Sequence, residues 1–402
     1  MARSLGFWLE KPRPDGDNNT KVELHFNYWS LNNGLTNYID IGVKISEAGL
    51  FDSINFYLPF NIDQIDYKPD LGKRVCENLV LVSAIFNSPA KHESHTETKG
   101  VYDFSFTTDT ESPQLRFFTQ ILLASDSLGG VTLERSNHEN EKGCLLKFPR
   151  DLFEIETKVD TKTKFDNYFR FRVILKSDAH RSISQIYEAK DSFITNHFEK
   201  TEMVDFRVNE TRNLPEKIRA NLNDHSHLSR IHFFLIREAN SEYKMSHSQY
   251  SRCRILEDDL WNKYLEQDDS SKKKKKQSQM LIYHWKTKEK EEDIDHFSAF
   301  AKFTRRNVTN LNILVILVVL VALSIFSGLL TNLTWSSMHK EVESCELADG
   351  TQEAPSTGGN LGSLDSTRSS REGGPRGTED GQSKAQSANT MLDKPKHGGE
   401  QQ

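Results

Sequence analysis

Eighteen consecutive uncharged residues, Ile313 to Leu330, read ILVILVVLVALSIFSGLL. At 1.5 Å rise per residue, a helix of that length spans about 27 Å, close to one hydrocarbon core. The charge-free window is longer still, from Asn307 to His339, and Trp335 stands where an interfacial aromatic belongs. No other segment approaches this apolarity. Residues 313–330 are therefore predicted as a single transmembrane helix, with the lipid bilayer as the first expected partner. Lys302, Arg305 and Arg306 flank it on the N-terminal side, against Lys340 on the other. The positive-inside rule then places the N-terminus in the cytoplasm and the C-terminal tail outside. The first residues, MARSLGFWLEKPRPDGD, contain no apolar run of signal-peptide length. N-x-[ST] triplets at Asn209, Asn307 and Asn332 read as chance matches, on the wrong side of the membrane or too close to it.

Composition narrows the rest. The chain has 402 residues, 36% of them hydrophobic, which excludes a polytopic membrane protein. The 24 Phe, 11 Tyr and 5 Trp are enough to build a core, so a wholly disordered chain is excluded too. A net charge of -6 argues against a generic nucleic-acid binder. Four Cys exclude a disulfide scaffold, and Cys76, Cys144 and Cys253 read as buried or half-buried thiols.

In the first 266 residues the dominant hydrophobic period is two. Val22, Leu24, Phe26 and Tyr28 alternate with polar neighbours, as do Ile39, Ile41, Val43 and Ile45. The same pattern recurs at Ile54, Phe56 and Leu58, at Tyr102, Phe104 and Phe106, at Phe169, Phe171, Val173 and Leu175, and at Val204, Phe206 and Val208. Each reads as a half-buried strand. LVLVSAIF (79–86) and RIHFFLIRE (230–238) are apolar on both faces and are predicted as central strands. Helices are predicted over a stripe from Ile183 to Phe198, in LPEKIRANL, and around Leu260, Trp261, Tyr264 and Leu265. The fold class is mainly β or α+β, antiparallel and sandwich-like, plus the one transmembrane helix. A weak internal repeat, NYIDIGVKI–INFYLPF–LVLVSAIF against NYFRFRVIL–VDFRV–IHFFLIRE, raises the option of two similar β-rich domains, 1–160 and 161–266.

The remaining divisions follow composition. Residues 267–293 read as a Lys-rich linker in which Lys272–Lys276 repel one another, and near a membrane they would touch anionic lipid. Residues 294–312 are predicted as an amphipathic juxtamembrane helix carrying Ile294, Phe297, Phe300 and Phe303. Residues 331–402, rich in Gly, Ser, Thr and Gln, are expected to be a disordered tail.

No Walker loop, G-x-G-x-x-G fingerprint or G-x-S-x-G elbow occurs. His92/His95 and His225/His227 lack a completing ligand, so no metal site and no cofactor is predicted. One feature leans toward binding. Arg170, Arg172 and Lys176 alternate along one strand, and Arg207, Arg237, Arg252 and Arg254 fall on or beside other predicted strands. On adjacent strands they would form a basic face for a phosphate-bearing small ligand, because Arg offers a bidentate donor fork. In the span, Ser324 and Gly328 form a small-xxx-small pair, from which a homo-oligomer through the membrane and juxtamembrane helices is expected. The reading that results is a membrane-anchored cytosolic recognition or sensing module that is not an enzyme, with ligand binding coupled to localisation or helix clustering. Two alternatives stay open. One is a membrane-disrupting effector of a bacterial defence system activated by a phosphate-bearing ligand, an analogy of layout alone. The other is a membrane-tethered hydrolase or nuclease whose site assembles from distant residues.

Overall fold

The alternating segments VELHFNYW, NYIDIGVKI and NYFRFRVIL become neighbouring strands of one large sheet in the computed structural model. It describes residues 3–12, 20–31, 34–46, 51–96, 100–107, 113–126, 130–138, 141–153, 165–176, 178–187, 199–222, 228–265, 279–287, 293–306 and 310–346. The strands are β1 (Gly6–Pro12), β2 (Val22–Leu31), β3 (Thr36–Ile45), β4 (Phe51–Leu58), β5 (Ile65–Lys68), β6 (Ala90–Thr96), β7 (Val101–Phe106), β8 (Gln114–Phe118) and β9 (Thr132–His138). They continue with β10 (Glu141–Pro149), β11 (Asp166–Leu175), β12 (Ser184–Tyr187), β13 (Glu199–Val208), β14 (Leu228–Glu238), β15 (Ser241–Ser246), β16 (Arg252–Ile255), β17 (Met280–Lys286) and β18 (Phe297–Arg306). The helices are α1 (Leu71–Cys76), α2 (Leu79–Phe86), α3 (Glu216–Leu222), α4 (Asp258–Leu265) and α5 (Asn310–Glu346).

The ten-stranded sheet runs β16-β17-β14-β2-β3-β11-β8-β7-β6, with β5 also paired to β11. It is mixed: β14 with β2 and β11 with β8 are parallel, and its other pairs are antiparallel. Because side chains alternate between faces, each central strand feeds two cores. Leu24, Phe26, Ile41, Phe171, Phe233 and Leu235 enter the larger one. There they meet two four-stranded sheets, β1-β4-β10-β9 and β12-β13-β18-β15. Phe206 of β13 stacks on Phe233 at 4.2 Å, and Phe56 of β4 meets Phe171 edge-on. Leu5 joins the two smaller sheets: its amide donates to the Arg207 carbonyl and its carbonyl accepts from the Asn209 amide. The β-rich architecture expected from the period-two pattern is present, in three layers.

The second face of the large sheet is also covered. Trp29, Tyr38, Tyr168, Ile236 and Ile282 pack under α1, α2 and α4 through Leu71, Val75, Leu81, Val82, Trp261 and Tyr264. Here LVLVSAIF is helix α2, not a central strand. Asn78 caps its start, the side-chain oxygen accepting from the Val80 and Leu81 amides at 3.1 and 3.3 Å. Asn87 ends it in the left-handed region at φ 51°. An eight-residue apolar run carries no period of its own, and the two flanking asparagines decide for the helix.

Other expectations are corrected in the same way. Residues 297–306, expected within an amphipathic juxtamembrane helix, are strand β18, between β13 and β15. Its buried apolar residues are Phe297, Ala299, Ala301 and Phe303, a period of two that two small alanines disguise. The stripe from Ile183 opens as strand β12, and the 188–198 part lies outside the described residues. Within the expected linker, 280–286 is β17, whose Ile282, Tyr283 and Trp285 are buried. Lys272–Lys276 lie outside the described residues. Strands from both sides of residue 160 share the large sheet, with β11 beside β3 and β14 beside β2. The suggested repeat also fails at its third element, which is helix α2 in one copy and strand β14 in the other.

Helix α5 is continuous over 37 residues and includes residues 331–346, expected to be disordered; 347–402 lie outside the described residues. Ile313–Met338 is long and apolar enough to cross a membrane. Ser324 and Gly328 sit one turn apart on it, and nothing within 4 Å would meet a Cβ at Gly328.

Candidate functional site

The seven cations singled out in the sequence separate into distinct environments. Arg170 and Arg172 belong to the face of β11 that α4 covers, and both are buried. Arg172 donates from Nε and Nη2 to the two oxygens of Asp40, at 2.6 and 3.0 Å. Asp40 also accepts from the Trp29 indole and from the Tyr264 hydroxyl of α4, each at 2.7 Å. Arg170 donates to the Tyr264 and Tyr168 hydroxyls at 2.8 and 3.0 Å. Gly42 is required beneath it, because a Cβ there would overlap the Tyr168 hydroxyl. These two arginines tie a helix to the sheet and are not open to a ligand. Lys176 is exposed, 4.0 Å from Asp66, and Arg207 is paired with Asp205 at 2.6 Å. Arg252 and Arg254 are exposed on edge strand β16. The single basic face expected from the alternation does not form: helices cover Arg170 and Arg172, Arg207 belongs to a different sheet, and Arg237 lies on the opposite face of the large sheet.

Arg237 is different. It continues the inward register of Ile231, Phe233 and Leu235 on β14, so a guanidinium occupies an apolar face, 2% exposed. Nη2 donates to Glu202 Oε2 at 2.6 Å, and the Phe303 ring lies 4.9 Å from Cζ. Among the described residues, Nε and Nη1 have no hydrogen-bond partner. Leaving such donors unmade inside a protein costs about 1–3 kcal/mol, and more for charged groups.

Arg237 lines a cleft of about 1030 Å3 between β12, β13, β18 and the Pro59–Gln64 and Asp178–Ser182 segments. Arg3, Lys142, Arg181, Lys200 and Arg305 also line it, against Asp178 and Glu202 as the carboxylates among the described lining residues. Both carboxylates are already engaged, Asp178 by Arg181 and Glu202 by Arg237 and the Ser184 hydroxyl. Burial pushes the Glu202 carboxyl up, but Arg237 and Ser184 outweigh it and hold the group below the usual carboxylate range. The Arg305 guanidinium is shifted down by burial and by the like charge of Arg237. The cleft thus gathers positive charge beyond what its own carboxylates neutralise.

No protein-family model matches the chain, and no curated protein matches it.

A second constellation lies on the helix-covered face. Glu23 Oε1 is 2.9 Å from His25 Nε2 and 3.2 Å from His232 Nε2. His232 Nδ1 is 3.0 Å from His284 Nε2, and His25 Nδ1 is 3.4 Å from the Tyr168 hydroxyl. Burial lowers His25, and it pushes His284 down to about 3 with help from the neighbouring His232. A cavity of about 280 Å3 opens on this cluster between the end of α2 and strands β16 and β17. Sequence reasoning missed it because Glu23, His25, His232 and His284 come from three strands and meet only across the sheet. Their one sequence signal is shared: each sits at a polar position between apolar residues of a strand. His92 and His95 are exposed on β6, with His95 stacked on Tyr102 at 3.9 Å, and His225 and His227 lie outside the described residues.

Among the described residues, Cys76 and Cys144 supply no nucleophile to either place. Burial raises Cys76 and pushes Cys144 up to about 12, which keeps both as thiols. Cys253, expected to be buried or half-buried, is exposed on β16.

Proposed function

We propose that the chain is a single-pass membrane-anchored recognition module whose β-rich body binds a phosphate-bearing small ligand in the Arg237 cleft. The observation that carries this reading is Arg237 itself: a buried guanidinium with two donors unbonded among the described residues, lining a cleft whose described cations outnumber its described carboxylates. A phosphate group suits the site, because its oxygens accept charge-assisted hydrogen bonds from guanidinium donors that Glu202 leaves unused while carrying the compensating charge. Lys200, Arg181 and Arg305 would add charge around it. Helix α5 would hold the body at the bilayer, with the body cytosolic as its N-terminal cations favour. Binding would act through localisation, or through clustering of chains at Ser324 and Gly328.

Calorimetric titration of the full chain in detergent micelles, with pyrophosphate and with ATP as probes, tests the reading. Saturable binding is expected, weakening with salt and falling about tenfold to hundredfold in Arg237→Gln, as for loss of charge-assisted hydrogen bonds. Lys91→Gln, on the exposed strand β6 outside the cleft, leaves it unchanged. Absence of binding by either probe, or equal affinity in Arg237→Gln, would reject the assignment.

A further inference from the structure

We infer that Glu23, His25 and His232 form a binding site for one divalent transition-metal ion, with zinc the best match. The inference is independent of the Arg237 cleft. The three ligand atoms lie within 4.8 Å of one another, on adjacent strands β2 and β14. A tetrahedral ion with bonds of about 2.0–2.1 Å holds its ligands about 3.3 Å apart. The Glu23 oxygen is 2.9 Å from His25 Nε2 and 3.2 Å from His232 Nε2, so those two pairs are already close to that spacing.

A second observation points to a cation. His232 Nε2 is buried and makes no aligned hydrogen bond, although it faces the Glu23 carboxylate. If it carries a proton, that proton is poorly used. If it is bare, a lone pair faces a carboxylate, which is repulsive. A cation bound by both atoms removes either defect. The outer nitrogens are already occupied in the manner that orients metal-bound imidazoles: His232 Nδ1 meets His284, and His25 Nδ1 meets Tyr168. Phe234 stacks on the His284 ring at 4.2 Å and fixes it.

Two imidazoles and one carboxylate leave a coordination position open, and donors of this kind suit zinc or another first-row ion better than calcium or magnesium. The 280 Å3 cavity is lined by all three residues and gives that position room for water or a small anion. Arg252, Arg254 and Lys286 at its edge favour an anion as the exchangeable partner.

The test uses the detergent-purified full chain, stripped with chelator and dialysed. Titration with Co2+ should produce the visible bands of a low-coordinate site at one equivalent, and Zn2+ should displace them. Zinc affinity should fall at least hundredfold in His232→Asn and Glu23→Gln. In His284→Ala, which removes only an outer partner, it should fall about tenfold to hundredfold. Cys253→Ser and His95→Ala should leave it unchanged. A folded wild-type chain that takes up neither ion at equimolar concentration would overturn the proposal, whatever the variants do. So would uptake that survives in His232→Asn and Glu23→Gln, or that disappears in Cys253→Ser or His95→Ala.

Discussion

Arg172 and Asp40 form a doubly hydrogen-bonded ion pair beneath helix α4, with side chains 3% and 0% exposed. An arginine that reads in the sequence as a solvent-facing ligand is instead a fastener between layers. The Tyr264 hydroxyl reaches the same carboxylate from α4, so the pair anchors that helix to the sheet.

Removing one member strands the other. Arg172→Met leaves Asp40 buried with only neutral donors, and such broken pairs cost about 3–5 kcal/mol. The urea midpoint should fall accordingly, while the joint replacement Arg172→Met with Asp40→Leu should recover part of the loss. A midpoint unchanged in Arg172→Met would mean the pair is solvated.

Helix α2 gives a paired test of the packing under the second face. Leu81 is buried and Val80, next to it, is 62% exposed. Leu81→Ala should cost about 2–5 kcal/mol, and Val80→Ser should stay within about 0.5 kcal/mol. Equal costs would fit the two-sided strand that LVLVSAIF resembles in sequence.

The Glu202–Arg237 pair sets a pH dependence whose sign can be worked out. Glu202 is held below its ordinary value of 4.5 in the folded chain. Its contribution is therefore present above about 4.5 and is lost as pH falls through the lower folded value. In Arg237→Met, burial is opposed only by the Ser184 hydroxyl and the Arg305 charge, so the folded carboxyl titrates higher than in the wild type. The variant then gains less stability than the wild type as pH rises through the carboxylate range. The difference in urea midpoint between wild type and variant should be smallest near pH 4 and grow toward pH 7. A difference constant across that range would contradict the linkage.

In helix α5, close approach of backbones through Ser324 and Gly328 should be local and modest, about 1–2 kcal/mol as for model membrane peptides. Energy transfer between labelled chains in bilayers should drop in Gly328→Leu. Transfer that persists in Gly328→Leu would place self-association elsewhere.

Much of the body was legible because strand period and burial coincide. Val22 to Tyr28, Ile39 to Ile45 and Phe169 to Leu175 alternate, and their apolar members all face one core. What the alternation could not tell was the fate of the other face. Polar residues there read as solvated, yet α1, α2 and α4 cover His25, Asp40, Arg170 and Arg172. Nor could short apolar runs declare their type: LVLVSAIF became a helix through its flanking asparagines, and the Phe297–Phe303 segment a strand through two alanines. Of the candidate site, only Arg237 was on the expected roll of cations and also in the cleft. Glu202, Lys200 and Ser184 join it through pairing of β12, β13 and β18, a long-range fact that no local pattern carries.

Hydrogen–deuterium exchange of the full chain in micelles, with and without saturating pyrophosphate, tests the central claim most directly. Ligand in the Arg237 cleft should protect peptides covering Asp178–Ile186, Lys200–Glu202 and Leu235–Arg237, and leave the exposed strand β6 unchanged. Protection should vanish in Arg237→Gln. Protection confined to other segments, or equal protection in Arg237→Gln, would contradict the assignment of this cleft as the recognition site.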